Sequence, residues 1–517
     1  MPLPMPTADE SLTLAAQRWP DAPALWRDGA PTTYRELAAR VDRAAGWLAG
    51  VCPLRGSRIA VWLDKRVDTV VALFAAMRAG HVALPLNPAL RAAQALAALR
   101  DARATLLLTD AGRRLALRDA QEQHPLWRCV DVEGAEWQEA LSREARHAPP
   151  HRDAEELAIV FYTSGSSGPP KGVMVTHANL LAGAAAVNAY LGHRPDDRLL
   201  AALPLSFDAG FSQLTTAFAA GASVVLLDHL FPADLLAALE RYRVTGITAV
   251  PPLYLQLLKT LDHTVAAGKT GVAGAETLRY FANTGGHLPA EAWQALRAVW
   301  PRAEPHSMYG LTEAFRASRL PPGDFERKPG SVGVALPGGT RLHLLRPDGR
   351  PCAAGEPGQL VQQGPLVARG YWNDPQRSAQ CFRPGPDGAP AVWSGDTLRQ
   401  DEEGYLWFIG RDDGQIKTSG YRVSPSEVEA AAAAAGWAEC VALGVPDALL
   451  GEVLALVVAD GDSAGLAAAL HAALPAWMRP RHIEVWPGAL PRTANGKFDR
   501  MLIRQQLLAR LAAAPCR

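Results

Sequence analysis

The segment YTSGSSGPPKG at 162–172 concentrates small hydroxyls, glycines and one lysine. Glycines let a ligand approach the backbone closely, NH groups and hydroxyls donate to phosphate oxygens, and the lysine adds positive charge. The residues that could bind a polyphosphate are Thr163, Ser164, Gly165, Ser166, Ser167, Gly168 and Lys171. The segment does not match the Walker A pattern, because Gly172 follows the lysine. Taken by itself, it is consistent with either a phosphate-binding loop or a plain linker.

Polar motifs recur further along the chain. They are GGHLP at 285–289, MYGLTE at 308–313, WSGD at 393–396, GRDD at 410–413 and TANGKFDR at 493–500. The first two follow predicted strands, and ligands of open α/β sheets bind at the carboxyl ends of strands. In isolation, YGLTE is explained equally well by a buried tyrosine, an N-capping threonine and a solvated glutamate.

The elements that must position these motifs are predicted from hydrophobic periodicity. Up to about residue 310, buried strands alternate with helices, which predicts an α/β fold with doubly wound sheets. Thr33 and Glu36 form a predicted capping box at the start of one helix. From about residue 330, short strands punctuated by Gly, Pro and Asp predict a β-rich subdomain.

The pattern of predicted strands and helices changes again after GRDDGQ, where a small α+β domain is predicted. Ser424 is its expected first N-cap, with Pro425 at the first helical position and Glu427 closing a capping box. We therefore expect a large N-terminal domain over 1–410, with its β-rich part at about 330–410, a hinge at 411–414 and a mobile lid domain over 415–517.

Composition excludes several function classes. Lys plus Arg and Asp plus Glu both number 52 among the 517 residues, so net charge favours neither nucleic acid nor anionic membrane as a partner. The six cysteines are scattered without metal-ligand spacing, which favours reduced thiols. No secretory leader and no membrane-spanning run is recognised, so no membrane insertion and a cytoplasmic location are expected.

Together, in this order and spacing, the motifs resemble the adenylate-forming superfamily of acyl-CoA synthetases, amino acid and aryl acid activating enzymes, and luciferases. The resemblance covers nearly the whole chain. It implies that the Gly-rich loop closes over the β- and γ-phosphates of ATP, that Thr312 reaches the α-phosphate and that Glu313 holds Mg²⁺. The other implied nucleotide-binding residues are Gly285 and Gly286, which let adenine and substrate approach, Tyr309 against adenine, Gly310, His287, Asp396 at the ribose, and Arg411 near ribose and phosphate. His287 departs from the small residue or acid often found in the family, and a simple turn or cap is its alternative role. The alternative for Asp396 and Arg411 is a surface salt bridge.

The resemblance also implies a two-step reaction by domain alternation. Lys497 is similar to the catalytic lysine of the lid, where an ammonium would offset the repulsion between a carboxylate and the α-phosphate. Asp413 lies at the family's hinge position, and Gly420 and Arg422 resemble the face that guides a thiol to the acyl-adenylate. A non-catalytic nucleotide sensor should lack Lys497, Glu313 or Asp396, yet all three are present. A luciferase-like oxygenase would be revealed by oxygen uptake.

The acid pocket is expected around Phe207, Asp208 and Phe211. Asp208 resembles the aspartate that binds the α-ammonium group in amino acid adenylating domains, although an Asp at this point could equally cap the following helix. The segment is similar to AMP-forming ligases found with exosortase systems and to ligases that load proline onto carrier proteins. The expected substrates are ATP, a small carboxylic or amino acid, and the thiol of CoA or of a phosphopantetheine carrier protein, with CoA favoured. The expected cofactor is Mg²⁺.

Overall fold

The computed structural model describes most of the chain. The described residues are 7–118, 128–143, 152–163, 170–228, 231–266, 273–286, 288–411, 415–418, 420–437, 439–447, 450–492 and 498–513. Within them the fold is α/β, with large mixed sheets followed by a small C-terminal α+β unit, as the sequence predicts. Within these ranges, no helix is both long and apolar enough to cross a bilayer.

Helices flank the sheets throughout. Those of the first 300 residues are α1 (Glu10–Arg18), α2 (Tyr34–Val51), α3 (Val67–Arg78), α4 (Ala92–Asp101), α5 (Ala111–Ala116), α6 (Ala135–Ser142), α7 (His177–Leu191), α8 (Asp208–Ala220), α9 (Pro232–Arg241), α10 (Pro251–Ala266) and α11 (Ala290–Val299). Those that follow are α12 (Pro375–Cys381), α13 (Pro425–Ala434), α14 (Ser463–Ala473) and α15 (Arg500–Ala513).

One sheet contains, among the described residues, six strands in the order β6-β5-β3-β4-β7-β8. They are β3 (Arg58–Trp62), β4 (Val82–Pro85), β5 (Leu106–Thr109), β6 (Arg128–Asp131), β7 (Leu157–Thr163) and β8 (Lys171–Thr176). All neighbours are parallel except β7 and β8, whose register pairs Thr163 with Lys171. The Gly/Ser-rich motif therefore connects two antiparallel strands, unlike the strand-to-helix connection of a Walker A motif.

A second sheet contains nine described strands in the order β15-β14-β13-β12-β11-β9-β10-β1-β2. They are β1 (Pro23–Arg27), β2 (Ala30–Thr33), β9 (Arg198–Ala201), β10 (Ser223–Leu226), β11 (Gly246–Ala249), β12 (Tyr280–Asn283), β13 (Glu304–Tyr309), β14 (Ser318–Leu320) and β15 (Val334–Ala335). Its six central strands, from β13 to β1, are parallel, and the two edges are antiparallel.

Two smaller sheets follow, with five described strands each. The first, in the predicted β-rich region, is antiparallel and comprises β16 (Arg341–Leu345), β17 (Gly358–Gln363), β18 (Phe382–Pro384), β19 (Pro390–Gln400) and β20 (Leu406–Arg411). The second belongs to the C-terminal unit and comprises β21 (Ile416–Thr418), β22 (Tyr421–Val423), β23 (Cys440–Asp447), β24 (Gly451–Ala459) and β25 (His482–Trp486).

The main core lies between the large sheets. Helix α3 is buried from Thr69 to Arg78, and α8 is buried along most of its length. Both helices are buried on nearly every face, although α8 also buries the polar side chains Ser212, Gln213, Thr215 and Thr216. Phe74 of α3 stacks on Phe211 of α8 with ring centroids 5.8 Å apart. Packing against α3 holds the first turn of α8 in place, and with it Asp208, which lines a cavity beside the strand ends.

The two predicted capping boxes have different outcomes. The box at Thr33 is confirmed, because Thr33 accepts from the Glu36 NH and Glu36 accepts from the Thr33 NH. Ser424 is the N-cap of α13 and Pro425 its first residue, as predicted. Among the described residues, however, the Ser424 side chain makes no capping hydrogen bond to the start of the helix. Glu427, which the sequence predicts to close the capping box, lines a cavity instead. The domain bounds at 410 and 415 stay a prediction, and 412–414 lie outside the described residues.

Candidate active site

The carboxyl ends of strands from both large sheets surround one cavity of about 170 Å³. Thr163 ends β7, Gly310 follows β13, and Thr284 and Gly285 follow β12. Because parallel strands end at the same edge, motifs separated by about 150 residues lie around one space. The opposite wall consists of C-terminal residues, namely Lys417, Gly420, Tyr421, Arg422, Glu427, Trp477 and Met478.

The predicted acid-pocket residue Asp208 lines this cavity and already has a positively charged partner. Arg316 Nη1 lies 3.3 Å from Asp208 Oδ2, and the Thr312 hydroxyl donates to Oδ1 at 3.3 Å. Burial raises the pKa of Asp208, and the charge of Arg316 opposes that rise. Asp208 is the first residue of α8, with Phe207 at the N-cap. The Asp208 carboxylate lines the pocket and also accepts a hydrogen bond from the Ala209 backbone NH at the start of α8, so each of the two interpretations has a contact in its favour.

The two phenylalanines predicted for this pocket are placed differently. Phe207 lines the cavity and makes an edge-on contact with Tyr421 at 5.1 Å between ring centroids. Phe211 lies one layer behind, fully buried against Phe74 and Phe161, and is not among the described residues that line the cavity. The backbone explains the difference, because Phe207 is the extended N-cap residue outside the helix, whereas Phe211 lies within its buried first turn.

Tyr309 and Asp396, predicted near adenine and ribose, are in direct contact. The Tyr309 hydroxyl donates to Asp396 Oδ2, and Asp396 is completely buried on β19. Phe408 of β20 lies 6.3 Å from the Tyr309 ring, centroid to centroid. Asp396 is also the cross-strand partner of Arg411, which brings the backbones of both predicted ribose residues together.

Glu313, the predicted magnesium ligand, has a tyrosine hydroxyl and an arginine beside it. The Tyr371 hydroxyl donates to Glu313 Oε1 at 2.8 Å, and Lys171 Nζ lies 5.2 Å from the centre of the Tyr371 ring. Arg422 Nη1, from the C-terminal unit, is 3.9 Å from Glu313 Oε2. Burial raises the pKa of the Tyr371 hydroxyl, and the negative charge of Glu313 raises it further. Tyr371 therefore remains a neutral donor that orients the carboxylate.

The donor chemistry at Glu313 fits magnesium. Mg²⁺ is commonly bound through one or two carboxylates together with substrate phosphates and water. The described residues contain no cluster of three or more His, Cys, Asp or Glu side chains that could hold a metal. One buried carboxylate beside the predicted phosphate site is consistent with an ion that arrives with a nucleotide.

Glycines allow the two halves of the site to approach closely. Gly285 and Gly420 both have positive φ, of 73° and 79°. A Cβ on Gly420 would lie 2.6 Å from Val250 Cγ1, and a Cβ on Gly285 would lie 3.7 Å from the Gly420 carbonyl oxygen. A Cβ on Gly286 would lie 3.1 Å from Pro251 Cγ. The β21–β22 hairpin therefore docks directly on the predicted adenine-side glycines.

Several predicted residues cannot be placed. Those outside the described residues are Ser164, Gly165, Ser166, Ser167, Gly168, His287, Asp413 and Lys497. Of Arg411, the backbone is described and the side chain is not. The roles assigned to all of these residues stay predictions.

Other residues at the site were missed by sequence reasoning. Arg316 and Tyr371 pair with Asp208 and Glu313, and the Tyr421 ring stacks on Trp477 at 4.3 Å. Arg316 lies three residues after the end of the YGLTE motif, so the sequence could have suggested that it belongs to the same site. Tyr371 lies 58 residues after Glu313 along the chain, and Trp477 lies 56 residues after Tyr421. Only folding brings the members of each pair together.

Comparison with known proteins agrees with this geometry. The model of the AMP-binding enzyme family matches residues 12–372, and that of the AMP-binding enzyme C-terminal domain matches 427–497. The chain belongs to the family of AMP-binding enzymes. The resemblance to the adenylate-forming superfamily is therefore confirmed.

Individual relatives include proteins of similar length and much longer ones. Feruloyl-CoA synthase from an Amycolatopsis species is 32% identical, covering 95% of this chain and 97% of its own. A ligase from Pseudomonas fluorescens that joins L-proline to the L-prolyl-carrier protein is 28% identical, covering 96% and 99%. The chain spans only 6% of one linear gramicidin synthase polypeptide from Brevibacillus parabrevis, at 30% identity.

A solved structure has the same fold over nearly the whole length. The o-succinylbenzoate CoA synthetase of Bacillus subtilis, bound to a product analogue, superposes with a TM-score of 0.84 at 27% identity. The match covers 96% of this chain and 98% of that one. The o-succinylbenzoate CoA synthetase thus shares both the large sheets and the small C-terminal unit with this chain.

Proposed function

We propose that this AMP-binding enzyme is an AMP-forming acid–thiol ligase. It activates a carboxylic acid with ATP, releasing pyrophosphate, and then transfers the acyl group from the adenylate to a thiol. The observation that carries the proposal is the single cavity in which Thr163, Gly310 and Thr312 of the predicted nucleotide site face the β21–β22 hairpin of the C-terminal unit. An enzyme that only formed the acyl-adenylate would not need this hairpin beside the residues predicted to bind the α-phosphate.

The residues divide between the two half-reactions. For adenylation, Thr312 and the Gly/Ser-rich segment position the phosphates, Tyr309 and Asp396 hold the nucleoside, and Lys497 stabilises the negative charge that develops at the α-phosphate. Mg²⁺ on Glu313 would stabilise the pyrophosphate leaving group when bound. For thioester formation, Gly420 and Arg422 form the wall along which the thiol approaches.

The position of Arg422 supports alternation between these steps. Its guanidinium lies beside Glu313, where the cation of the first half-reaction would bind. Two cations at one carboxylate repel each other, so Arg422 would dock more favourably beside Glu313 when no Mg²⁺ is bound to that carboxylate. Closing the site in this way also keeps water from the reactive anhydride.

CoA is the favoured acceptor. Two relatives that match over almost their whole length are named for CoA chemistry, one of them solved with a CoA-containing product analogue. The alternative is an amino acid ligase that loads a phosphopantetheine carrier protein. It is supported by the proline ligase relative and by Asp208, an anion in the acid pocket. In that case the substrate ammonium competes with Arg316 for Asp208.

A pyrophosphate-exchange panel separates these possibilities. Amino acids, aryl acids such as ferulate, and fatty acids are tested with the purified protein, and the best acid is then assayed with CoA and with a phosphopantetheinylated carrier protein. Exchange with an acid, followed by thioester formation, is the expected result. Exchange with fatty acids only would contradict the ammonium role of Asp208, and absence of any acid-dependent exchange would contradict the ligase proposal.

A further inference from the structure

Glu427 is a buried carboxylate in the cavity that the reaction scheme does not use. Its Oε2 atom is inaccessible to solvent and has no hydrogen-bond partner among the described residues. The sequence predicts that it caps helix α13, and the structure turns it away from that role and towards the cavity. A buried carboxylate oxygen without a hydrogen-bond partner is costly to maintain, so its presence at this point needs a functional explanation.

Glu427 lines the same cavity as the residues expected at the reacting bond. The cavity is lined by Gly310 and Thr312, where the acyl-phosphate bond is expected. It is also lined by Gln94 of α4 and Met478 of the C-terminal unit, with Gln94 Nε2 3.5 Å from Met478 Sδ. Glu427 lies on the wall that the C-terminal unit contributes, together with Gly420 and Arg422. A thiol that enters between the two units would meet this wall inside the cavity.

We propose that Glu427 is the general base of the second half-reaction, an inference that rests on the proposed ligase function. The carboxylate accepts the thiol proton while the sulfur attacks the acyl carbonyl carbon. A carbon–sulfur bond forms, the bond between that carbon and the phosphate oxygen breaks, and AMP leaves with the electron pair. The proton on Glu427 passes to solvent when the C-terminal unit moves away.

The electrostatic surroundings suit this role. Burial raises the pKa of Glu427 to about 7, so the group exchanges a proton readily near neutral pH. The charged or titratable side chains that line the same cavity are Tyr162, Asp208, Arg316, Lys417, Tyr421 and Arg422. Helix α13 packs on β23 and α14, whose titratable residues include Cys440, Asp447 and His471. Glu429, on the same helix, is paired with Arg500 at 2.7 Å.

The experiment compares Glu427→Gln with the wild-type protein in each half-reaction separately. Pyrophosphate exchange with the best acid of the panel reports adenylation and folding together. Single-turnover reaction of the chemically made adenylate of that acid reports thioester formation, with pantetheine and with thiophenol as the two thiol probes. Glu429→Gln is the matched control, because it removes a carboxylate from the same helix without touching the cavity.

We expect Glu427→Gln to keep pyrophosphate exchange within about threefold of wild type and to slow pantetheine transfer by about 10². With thiophenol, which is largely ionised at neutral pH, the loss should be less than tenfold. The wild-type transfer rate should rise with pH through about 7, because the base acts deprotonated, and this inflection should disappear in the variant. Glu427→Asp should restore part of the rate.

Three results would overturn the inference: equal loss with both thiols, an unchanged pH inflection, or parallel loss of pyrophosphate exchange. Failure of the ligase proposal is distinguishable from these. In that case the wild-type protein itself would form no thioester with either probe, and both proposals would be abandoned.

Discussion

The ion pair between Asp208 and Arg316 gives the sharpest test of the acid pocket. Arg316 has only 4% of its side chain exposed, and its contact to Asp208 is 3.3 Å. At an effective dielectric constant of about 20, two unit charges at this distance attract by roughly 5 kcal/mol. Removing one partner of a buried pair typically costs about 3–5 kcal/mol, since the remaining charge is left uncompensated.

Asp208→Asn should therefore lower the free energy of unfolding by about 3 kcal/mol, because Arg316 cannot lose its charge. Arg316→Met should cost less at pH 5 than at pH 7. The remaining Asp208 has a pKa raised by burial, so the folded state binds the proton more tightly than the unfolded state. Stability contributed by that proton is lost as pH rises through the folded pKa, by at most about 1.4 kcal/mol per pH unit.

Urea unfolding followed by tryptophan fluorescence measures these changes, and the double variant Asp208→Asn/Arg316→Met completes the cycle. We expect the double variant to recover about 2 kcal/mol relative to the sum of the single changes. The exposed pair Arg35 and Asp21 is the control, with 66% and 81% of the side chains exposed. Asp21→Asn should cost less than about 0.5 kcal/mol.

The same variants test what the pocket binds. If an amino acid is the substrate, Asp208→Asn should abolish amino acid-dependent pyrophosphate exchange, whereas exchange with an aryl acid should persist. Additive costs of the two single changes, or an Asp208→Asn cost no larger than that of Asp21→Asn, would refute the reasoning that the pair is a buried, coupled unit.

Three further predictions concern the lid, its docking and the response to pH. Lys497→Ala should slow pyrophosphate exchange by roughly 10²–10³ while thiol transfer from supplied acyl-adenylate stays within a few-fold, and equal losses would contradict the two-face model. Gly420→Ala should impair thiol transfer but not exchange, because its Cβ would lie 2.6 Å from Val250 Cγ1. Gly488→Ala is its control, having a similar φ of 76° and no neighbour within 4 Å, and an equal effect of both would exclude a docking role. Burial lowers the pKa of His177 to about 4, so folded protein keeps it neutral and stability should fall as pH decreases below 6.5, by up to about 1.4 kcal/mol per unit. Urea unfolding between pH 7.5 and 4.5 measures this loss, which should be smaller in His177→Asn, and a slope unchanged by that substitution would contradict the assignment.

Much of the fold could be predicted from the sequence because its signals are local. The alternation of buried strands and helices up to about residue 310 specifies parallel sheets, and Thr33 with Glu36 specifies a helix start. The order and spacing of the polar motifs identify the AMP-binding enzyme family, which the matches at 12–372 and 427–497 confirm.

Pairing between distant side chains could not be predicted from the sequence. Asp208 pairs with Arg316, which lies 108 residues further along the chain. Glu427 lines a cavity together with residues of the distant N-terminal strands. Phe211 was expected in the acid pocket and lies in the core against Phe74. Local sequence determines which backbone a segment adopts, whereas side-chain partners depend on packing between segments far apart in the chain.

The amino-acid sequence by itself thus determined the fold class, the family and the kinds of residue available for chemistry at the strand ends. The tertiary structure decided which charges meet, namely Asp208 with Arg316 and Glu313 with Arg422. The physical reason is that a buried charge without a counter-charge is destabilised by the loss of its hydration. Those partners come from strand ends and a docked hairpin that only the folded chain brings together.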